Sequence, residues 1–311
     1  MPIVRAADPP KTLQGVKRVV FLGDSITYAG QYIELVETWV RLRHPDLRCE
    51  FLNLGLPSET TSGLTEPGHA GGAFPRPDVH ERLERVLEQT KPDLVVACYG
   101  MNDGIYHPLS KERFERYQAG IRKLRERVAA HGARVVHLTP PVFDPTPIRD
   151  RTLPAGREEY RQPYEGYDQV VDRYSQWLLD QRSADWHVID VHGPMKAYLE
   201  SQRKKDPGFI LAGDGVHANA TGHSLIARAV LTDWGVALPA STDLVRALDH
   251  EPHGTELLRL VSARQRVLRD AWLNAVGHKR PGMARGVPLD QARAQAETTE
   301  SAIRKLLDSA R

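Results

Sequence analysis

Cysteine is almost absent from this sequence, with two residues, Cys49 and Cys98, in a chain of 311. So few cannot staple a disulfide scaffold, and each lies in or beside an apolar run, where a small buried side chain is the ordinary reading. Charge of one sign is not in excess either. The 42 Lys and Arg against 40 Asp and Glu leave a formal net charge of +2, which argues against a nucleic-acid surface or a polybasic membrane anchor. No stretch approaches the roughly 20 apolar residues that span a bilayer. The first ten residues lack the apolar run of about 7–15 residues found in a secretory signal. Yet Val4-Arg5-Ala6-Ala7-Asp8-Pro9-Pro10 has the small-residue and proline pattern that a trimmed signal would leave. Residues 1–16 therefore read as an N-terminal segment, either the remnant of a signal region on an exported (periplasmic or secreted) protein or the start of a cytoplasmic one.

What is present suits one large domain, or one domain with an appendage: 41% apolar and 26% charged residues are ordinary for a globular chain of this length. From Lys17 to about Trp234, strand-like and helix-like segments alternate. Short apolar runs at 19–22, 47–54, 94–99, 135–138 and 187–191 close at or near Gly23, Gly55, Gly100, Pro140 and Gly193, the mark of strands buried on both faces. Between them, Tyr32, Leu35, Val36 and Trp39, then Phe114, Tyr117, Ile121 and Leu124, recur at helical spacing. Further helices are expected near 78–90, 165–183 and 221–232. The alternation implies an α/β fold, a three-layer α/β/α sandwich on a five-stranded parallel sheet, with 17–234 as its domain. In the order 2-1-3-4-5, a third strand separates those carrying Cys49 and Cys98, too far for a bridge. From 235 to 311 the strand pattern stops. Two helices, 242–276 and 289–309, separated by His278-Lys279-Arg280-Pro281-Gly282, read as a C-terminal helical extension packing on the core. A lid or a homo-oligomer contact through these helices is the functional alternative.

Strand one runs into Gly23-Asp24-Ser25, strand two into Asn53-Leu54-Gly55, strand three into Gly100-Met101-Asn102-Asp103, and Asp214-Gly215-Val216-His217 precedes a late helix. Ligands of an open parallel sheet bind outside the carboxyl ends of the strands where the order reverses, and 2-1-3-4-5 puts strand one there. A serine hydroxyl needs an imidazole to take its proton. The tetrahedral intermediate needs preorganised donors, for which the N–H groups of Ser25 and Gly55 and the side-chain amide of Asn102 are candidates. Asp214, three residues before His217, can accept the Nδ1–H and turn Nε2 toward Ser25. Catalytic Ser25, His217 and Asp214 need neither metal nor cofactor. Each motif alone has a bland reading as a loop, a cap or a turn; the set in this order does not.

Together these four segments resemble the blocks of the SGNH hydrolase superfamily, the GDSL-type esterases and lipases. The resemblance covers roughly residues 17–234. It implies a flavodoxin-like sandwich and places Ser25, Gly55, Asn102, Asp214 and His217 in the roles just derived, with Ile26 where the four-letter name has Leu. It implies ester hydrolysis without selecting the ester.

Two long connections carry the expectation about substrate. Residues 63–77 hold His69, Phe74 and Arg76; residues 143–167 hold Asp144, Arg149, Arg161, Tyr164 and Tyr167 among prolines. A connection of about 25 residues exceeds the usual 2–6 and is often a binding loop. Its mix of aromatic and charged groups suits a hydroxyl-rich partner better than a fatty chain, so Asp24, Phe74, Arg76, Asp144 and Tyr164 are candidate substrate contacts. The expected partner is a small-molecule or glycan ester, and the expected activity is acetyl ester hydrolysis on a carbohydrate. A broad short-chain esterase or lipase and a carbohydrate O-acetyltransferase are the alternatives, with a non-catalytic binding module the remote one. His69, His80, His107 and His192 lack zinc-ligand spacing, Asp24 and Asp103 also suit turn-stabilising hydrogen bonds, and Lys204-Lys205-Asp206 reads as a solvated helix end.

Overall fold

The structure, a computed structural model, describes residues 9–309; the Val4–Asp8 part of the expected signal remnant lies outside the described residues. A 3-10 turn at Lys11–Leu13 leads Leu13 and Val16 into the core. The chain then alternates. It runs through β1 (Arg18–Gly23), α1 (Ser25–Ala29), α2 (Gln31–Arg43), β2 (Glu50–Asn53), α3 (Leu83–Thr90), β3 (Leu94–Cys98), α4 (Lys111–Ala130), β4 (Arg134–Leu138) and α5 (Tyr167–Asp180). After β5 (His187–Ile189) come α6 (His192–Arg203), α7 (Ala220–Asp233), α8 (Leu244–Ala247), α9 (Gly254–Val276) and α10 (Leu289–Ser309).

All five strands are parallel, in the order β2-β1-β3-β4-β5, the topology expected from the sequence. Every residue of β3 is buried, because helices cover both faces and leave no side for alternating polar residues. The register sets Val20 between Leu52 and Val95, Phe21 beside Asn53, and Gly23 beside Cys98. The ends of the first three strands thus finish at one edge of the sheet. Cys49 and Cys98 are buried, free and on opposite sides of β1. On one face α2 packs against α7. On the other, Tyr117 of α4 stacks on Tyr174 of α5 at 4.3 Å between centroids, with Trp177 edge-on, a geometry worth about 0.5–1.5 kcal/mol per pair beyond area burial.

The extension lies over the exposed edge of β2. Gln265 of α9 donates to the Phe51 carbonyl at 2.9 Å and to Glu37 of α2 at 2.5 Å, filling an edge position that another strand could otherwise pair. Glu37 is fully buried and also takes Arg41 at 2.8 Å and Arg264 at 3.2 Å. Arg41 in turn grips Glu300 of α10 with two bonds, 3.0 and 2.8 Å. A buried charge network therefore ties α9 and α10 to the sandwich.

Three element boundaries differ from the sequence reading. The segment 242–276 is not one helix: Pro252 cannot donate to the preceding turn, and His253 at φ 57° turns the chain before α9 begins. The expected helix 78–90 is a 3-10 turn, Val79–Glu81, followed by α3. Helix α6 was not expected, since Gly193-Pro194 reads as a stop; in the first turn of a helix, however, proline is tolerated because its missing N–H has no partner to lose.

Candidate active site

Ser25 opens α1 immediately after β1, where the buried Asp24 caps the helix by accepting from the Ile26 N–H at 2.9 Å. Opposite stands the turn before α7. There Asp214 Oδ1 accepts the N–H groups of Val216 and His217 at 3.0 and 2.8 Å, and its Oδ2 lies 2.6 Å from His217 Nδ1. With Nδ1 committed, Nε2 faces Ser25 Oγ at 2.8 Å. Burial pushes the Asp214 carboxyl upward, but the bonds from His217 and Val216 outweigh it and hold the group below its usual range. Both side chains are about half exposed, 53% for His217 and 51% for Asp214. The three groups thus form a continuous hydrogen-bonded chain that opens on solvent.

The sequence from 21 to 225 matches the GDSL-like lipase/acylhydrolase family. This chain belongs to that family. The acylhydrolase is accordingly an enzyme of the serine carboxylic ester hydrolase type. Comparison with curated proteins finds no match. Among solved structures it is similar to a gut microbial diltiazem-metabolizing enzyme, at 22% identity and TM-score 0.53, covering 70% of this chain and 47% of the other, under two thirds of that enzyme's length. It is similar also to an acetylxylan esterase from Geobacillus stearothermophilus, at 20% identity and TM-score 0.53, covering 72% of this chain and 97% of the other. At these identities the likeness is one of fold.

Gly55 requires a correction. Its N–H donates to Asn53 Oδ1 at 2.9 Å in a buried bond, so the acylhydrolase does not leave it free for an oxyanion. A Cβ at Gly55 would strike the backbone of Thr27 and Tyr28; the glycine lets the segment after β2 touch α1. Asn53 clamps the same contact from its other side, donating to the Thr27 and Tyr28 carbonyls at 2.8 and 3.3 Å. Three residues on, Ser58 has φ 70°, a left-handed conformation that costs a side-chain-bearing residue about 1–2 kcal/mol. Among the described residues its N–H has no acceptor. The next residue, Glu59, accepts from Asn102 Nδ2 at 3.2 Å through its carbonyl, so the Ser58 backbone lies beside the Asn102 amide.

Asn102 is fixed from both ends, since Tyr106 Oη donates to its Oδ1 at 3.0 Å. Beneath it, Glu59 and Arg82 form an ion pair fully out of solvent, with Nε at 2.6 Å. Tyr99 Oη donates to Glu59 at 2.6 Å, and Arg82 donates to the Leu54 carbonyl at 2.7 Å. Nothing in the sequence around Glu59 or Arg82 marks this support. Asp103, by contrast, does hold a turn as expected: it accepts from the N–H groups of Thr61 and Ser62 and from the Thr61 hydroxyl at 2.7–2.9 Å.

The five expected substrate contacts divide. Asp24, Arg76 and Asp144 are buried and already partnered, so they support the site instead of facing a ligand. Arg76 is held by Glu66 at 2.6 Å and lies over the Tyr106 ring at 5.2 Å. Asp144 pairs with Arg203 at 2.5 Å, and its N–H donates to the Gly215 carbonyl at 2.9 Å, bracing the His217 turn. Phe74 and Tyr164 keep partly exposed surface: Phe74 packs edge-on against His69, and Tyr164 edge-on against Tyr160. Between the two long loops lies a cavity of about 470 Å³ lined by Pro67, Gly68, Gly71, His107 and Glu158 to Arg161. His69, His80, His107 and His192 are spread over separate elements, and among the described residues no three His, Cys, Asp or Glu side chains gather as a metal-ligand set.

Asp24 has a consequence for pH. Burial pushes its carboxyl up to about 7, although the Ile26 N–H and the His217 charge pull it down. The folded value exceeds the unfolded one, so the folded state binds the extra proton and this stabilisation is lost as pH rises from about 4 through about 7. Three pH units at about 1.4 kcal/mol each give an upper bound of order 4 kcal/mol. Asp24→Asn keeps an acceptor for Ile26 and removes the titration. Its stability relative to the parent protein, from urea unfolding, is expected to rise between pH 5 and pH 8; a pH-independent difference would contradict the assignment.

Proposed function

We propose that the enzyme hydrolyses short-chain, chiefly acetyl, esters of a carbohydrate through an acyl-enzyme on Ser25. The observation that carries this reading is the Asp214–His217–Ser25 chain at 2.6 and 2.8 Å. His217 Nε2 takes the Ser25 proton as Oγ attacks the acyl carbon, and Asp214 fixes the tautomer and stabilises the imidazolium. The oxyanion is received by the Ser25 N–H, the second hydrogen of Asn102 Nδ2 and, in place of Gly55, the Ser58 N–H; one such donor is worth about 3–4 kcal/mol in the transition state. The sugar hydroxyl departs with the proton from His217, and water, deprotonated by the same nitrogen, releases the acid.

Three features favour acetyl on a glycan. The half-exposed triad stands on open surface instead of at the head of an apolar tunnel. The long loops present partly exposed Phe74 and Tyr164, and His107 and Tyr160 line a cavity of about 470 Å³ between them, the aromatic and polar mixture that suits a sugar ring. The similarly folded acetylxylan esterase has solved catalytic mutants in which a serine, an aspartate and a histidine are replaced by alanine, the residue types assembled here. With p-nitrophenyl esters, kcat/KM is expected to fall steeply from acetate to octanoate, and acetate should be released from acetylated xylan or a related glycan. A slope rising toward octanoate would replace this reading with a lipase.

A further inference from the structure

The family match ends at residue 225, yet the extension beyond it reaches the rim of the site. Arg269 of α9 donates to the Tyr28 carbonyl at 2.9 Å and lies over the Tyr28 ring at 3.9 Å, and the Tyr28 hydroxyl bonds Asp270 at 3.3 Å. Tyr28 belongs to α1, the short helix that Ser25 opens. In the break before α10, Arg280 Nε donates to the Pro57 carbonyl at 3.1 Å, and its guanidinium lies over Phe74 at 5.1 Å. Pro57 directly precedes Ser58. The extension thus builds a wall on the side of the site formed by α1, the Ser58 turn and the 63–77 loop.

The cations of that wall are not equivalent. Arg76 is neutralised by Glu66, with two bonds of 2.6 Å. Arg269 is neutralised by Asp270 at 2.8 and 3.2 Å. Lys279 points to Glu81 at 4.0 Å. Arg280 is half-buried and has only neutral partners among the described residues: the Pro57 and Pro281 carbonyls, Met283 Sδ at 3.3 Å and the Phe74 ring. Its charge reaches both sides of the rim. It adds to the larger effects of burial and Arg76 that hold His69 down, and it opposes the burial that raises Tyr28. A partly desolvated guanidinium without a counter-ion is an anion site in waiting, since its planar fork matches a carboxylate in two parallel bonds.

We infer that Arg280 is a specificity-determining residue that binds a carboxylate on the alcohol portion of the substrate, so that the preferred ester is an acidic one, such as an acetylated uronic-acid unit. This rests on the Ser25 ester-hydrolysis reading for its chemistry, and on the extension's own contacts for its place.

The test compares two matched pairs, 3- and 4-acetoxybenzoate against their methyl esters, by release of acetate, with the full chain and its Arg280→Gln and Arg280→Lys variants. The ratio of kcat/KM for acid over methyl ester is expected to exceed one in the parent enzyme. It should fall about 10–100-fold in Arg280→Gln, the worth of a charge-assisted hydrogen bond, with a smaller fall in Arg280→Lys. Using the ratio cancels any general damage from loosening Pro57. Binding of 3- and 4-hydroxybenzoate, measured by calorimetry, needs no turnover and should weaken at least tenfold in Arg280→Gln. An unchanged ratio with unchanged binding overturns the inference. Loss of p-nitrophenyl acetate turnover in the parent enzyme, with carboxylate binding still dependent on Arg280, would instead overturn the hydrolysis reading alone.

Discussion

Ser25→Ala is expected to lower kcat for p-nitrophenyl acetate by a factor of order 10⁶, the scale on which serine nucleophiles fail when their hydroxyl is removed. The folded state should hardly notice, because the Oγ contact is to the half-exposed His217 and exposed polar bonds contribute little to stability. His217→Ala should cost about as much as Ser25→Ala, and the double variant no more than either, since residues acting as one unit are not additive. Asp214→Ala should cost less, of order 10⁴, as it disorients the imidazole without removing it. Spectrophotometric turnover of the four variants beside the parent, with thermal melts as the control for folding, reads all of this. Turnover within tenfold of the parent level in Ser25→Ala would move the nucleophile elsewhere.

Arg82→Met is expected to destabilise the protein by about 3–5 kcal/mol, because it strands a buried carboxylate. Glu59 and Arg82 are both fully buried, and burial already raises Glu59 despite the adjacent Arg82 charge. The same substitution should lower kcat, since the Glu59 carbonyl places the Asn102 amide. The double variant Glu59→Gln with Arg82→Met should recover much of the stability, as removing both charges is far less costly than removing one. Urea unfolding of both single variants and the double checks it; a loss in the double equal to the sum of the two single losses would mean that the pair is not coupled.

The fold was legible because its strands are buried on both faces: 94–99 is an unbroken apolar run, and helix-covered parallel strands are the ordinary reason for one. Helices with a clean stripe, such as 31–43, were legible to the residue. The site was legible where one residue type suits a recognisable task at a marked position, as Ser25 and Asn102 do after strands and Asp214 and His217 in the turn before α7. It was not legible where the proposed donor is a backbone N–H. Gly55 and Ser58 are three residues apart, and only the bond from Gly55 to Asn53 and the φ of Ser58 separate the packed glycine from the free donor. Nor could a sequence display the burial that turned Asp24, Arg76 and Asp144 from surface candidates into supports. The distant partners Arg269 and Arg280 join the site across more than two hundred residues, with no local pattern to announce them.

The exposure of the Asp214–His217–Ser25 chain also bears on what would resolve the proposed acyl-enzyme. With half of the His217 side chain in contact with solvent, bulk water has access to the imidazole once the alcohol has left, and any second sugar must outcompete it. Enzymes that pass an acyl group onward exclude water by closing over the intermediate. Here the rim elements are pinned: the 63–77 loop by Arg76–Glu66, the Ser58 turn by Arg280, and the His217 turn by Asp144. With added sugar acceptors, the partition of acetyl is therefore expected to favour free acetate throughout, so that this scaffold ends the acyl group's transit instead of relaying it.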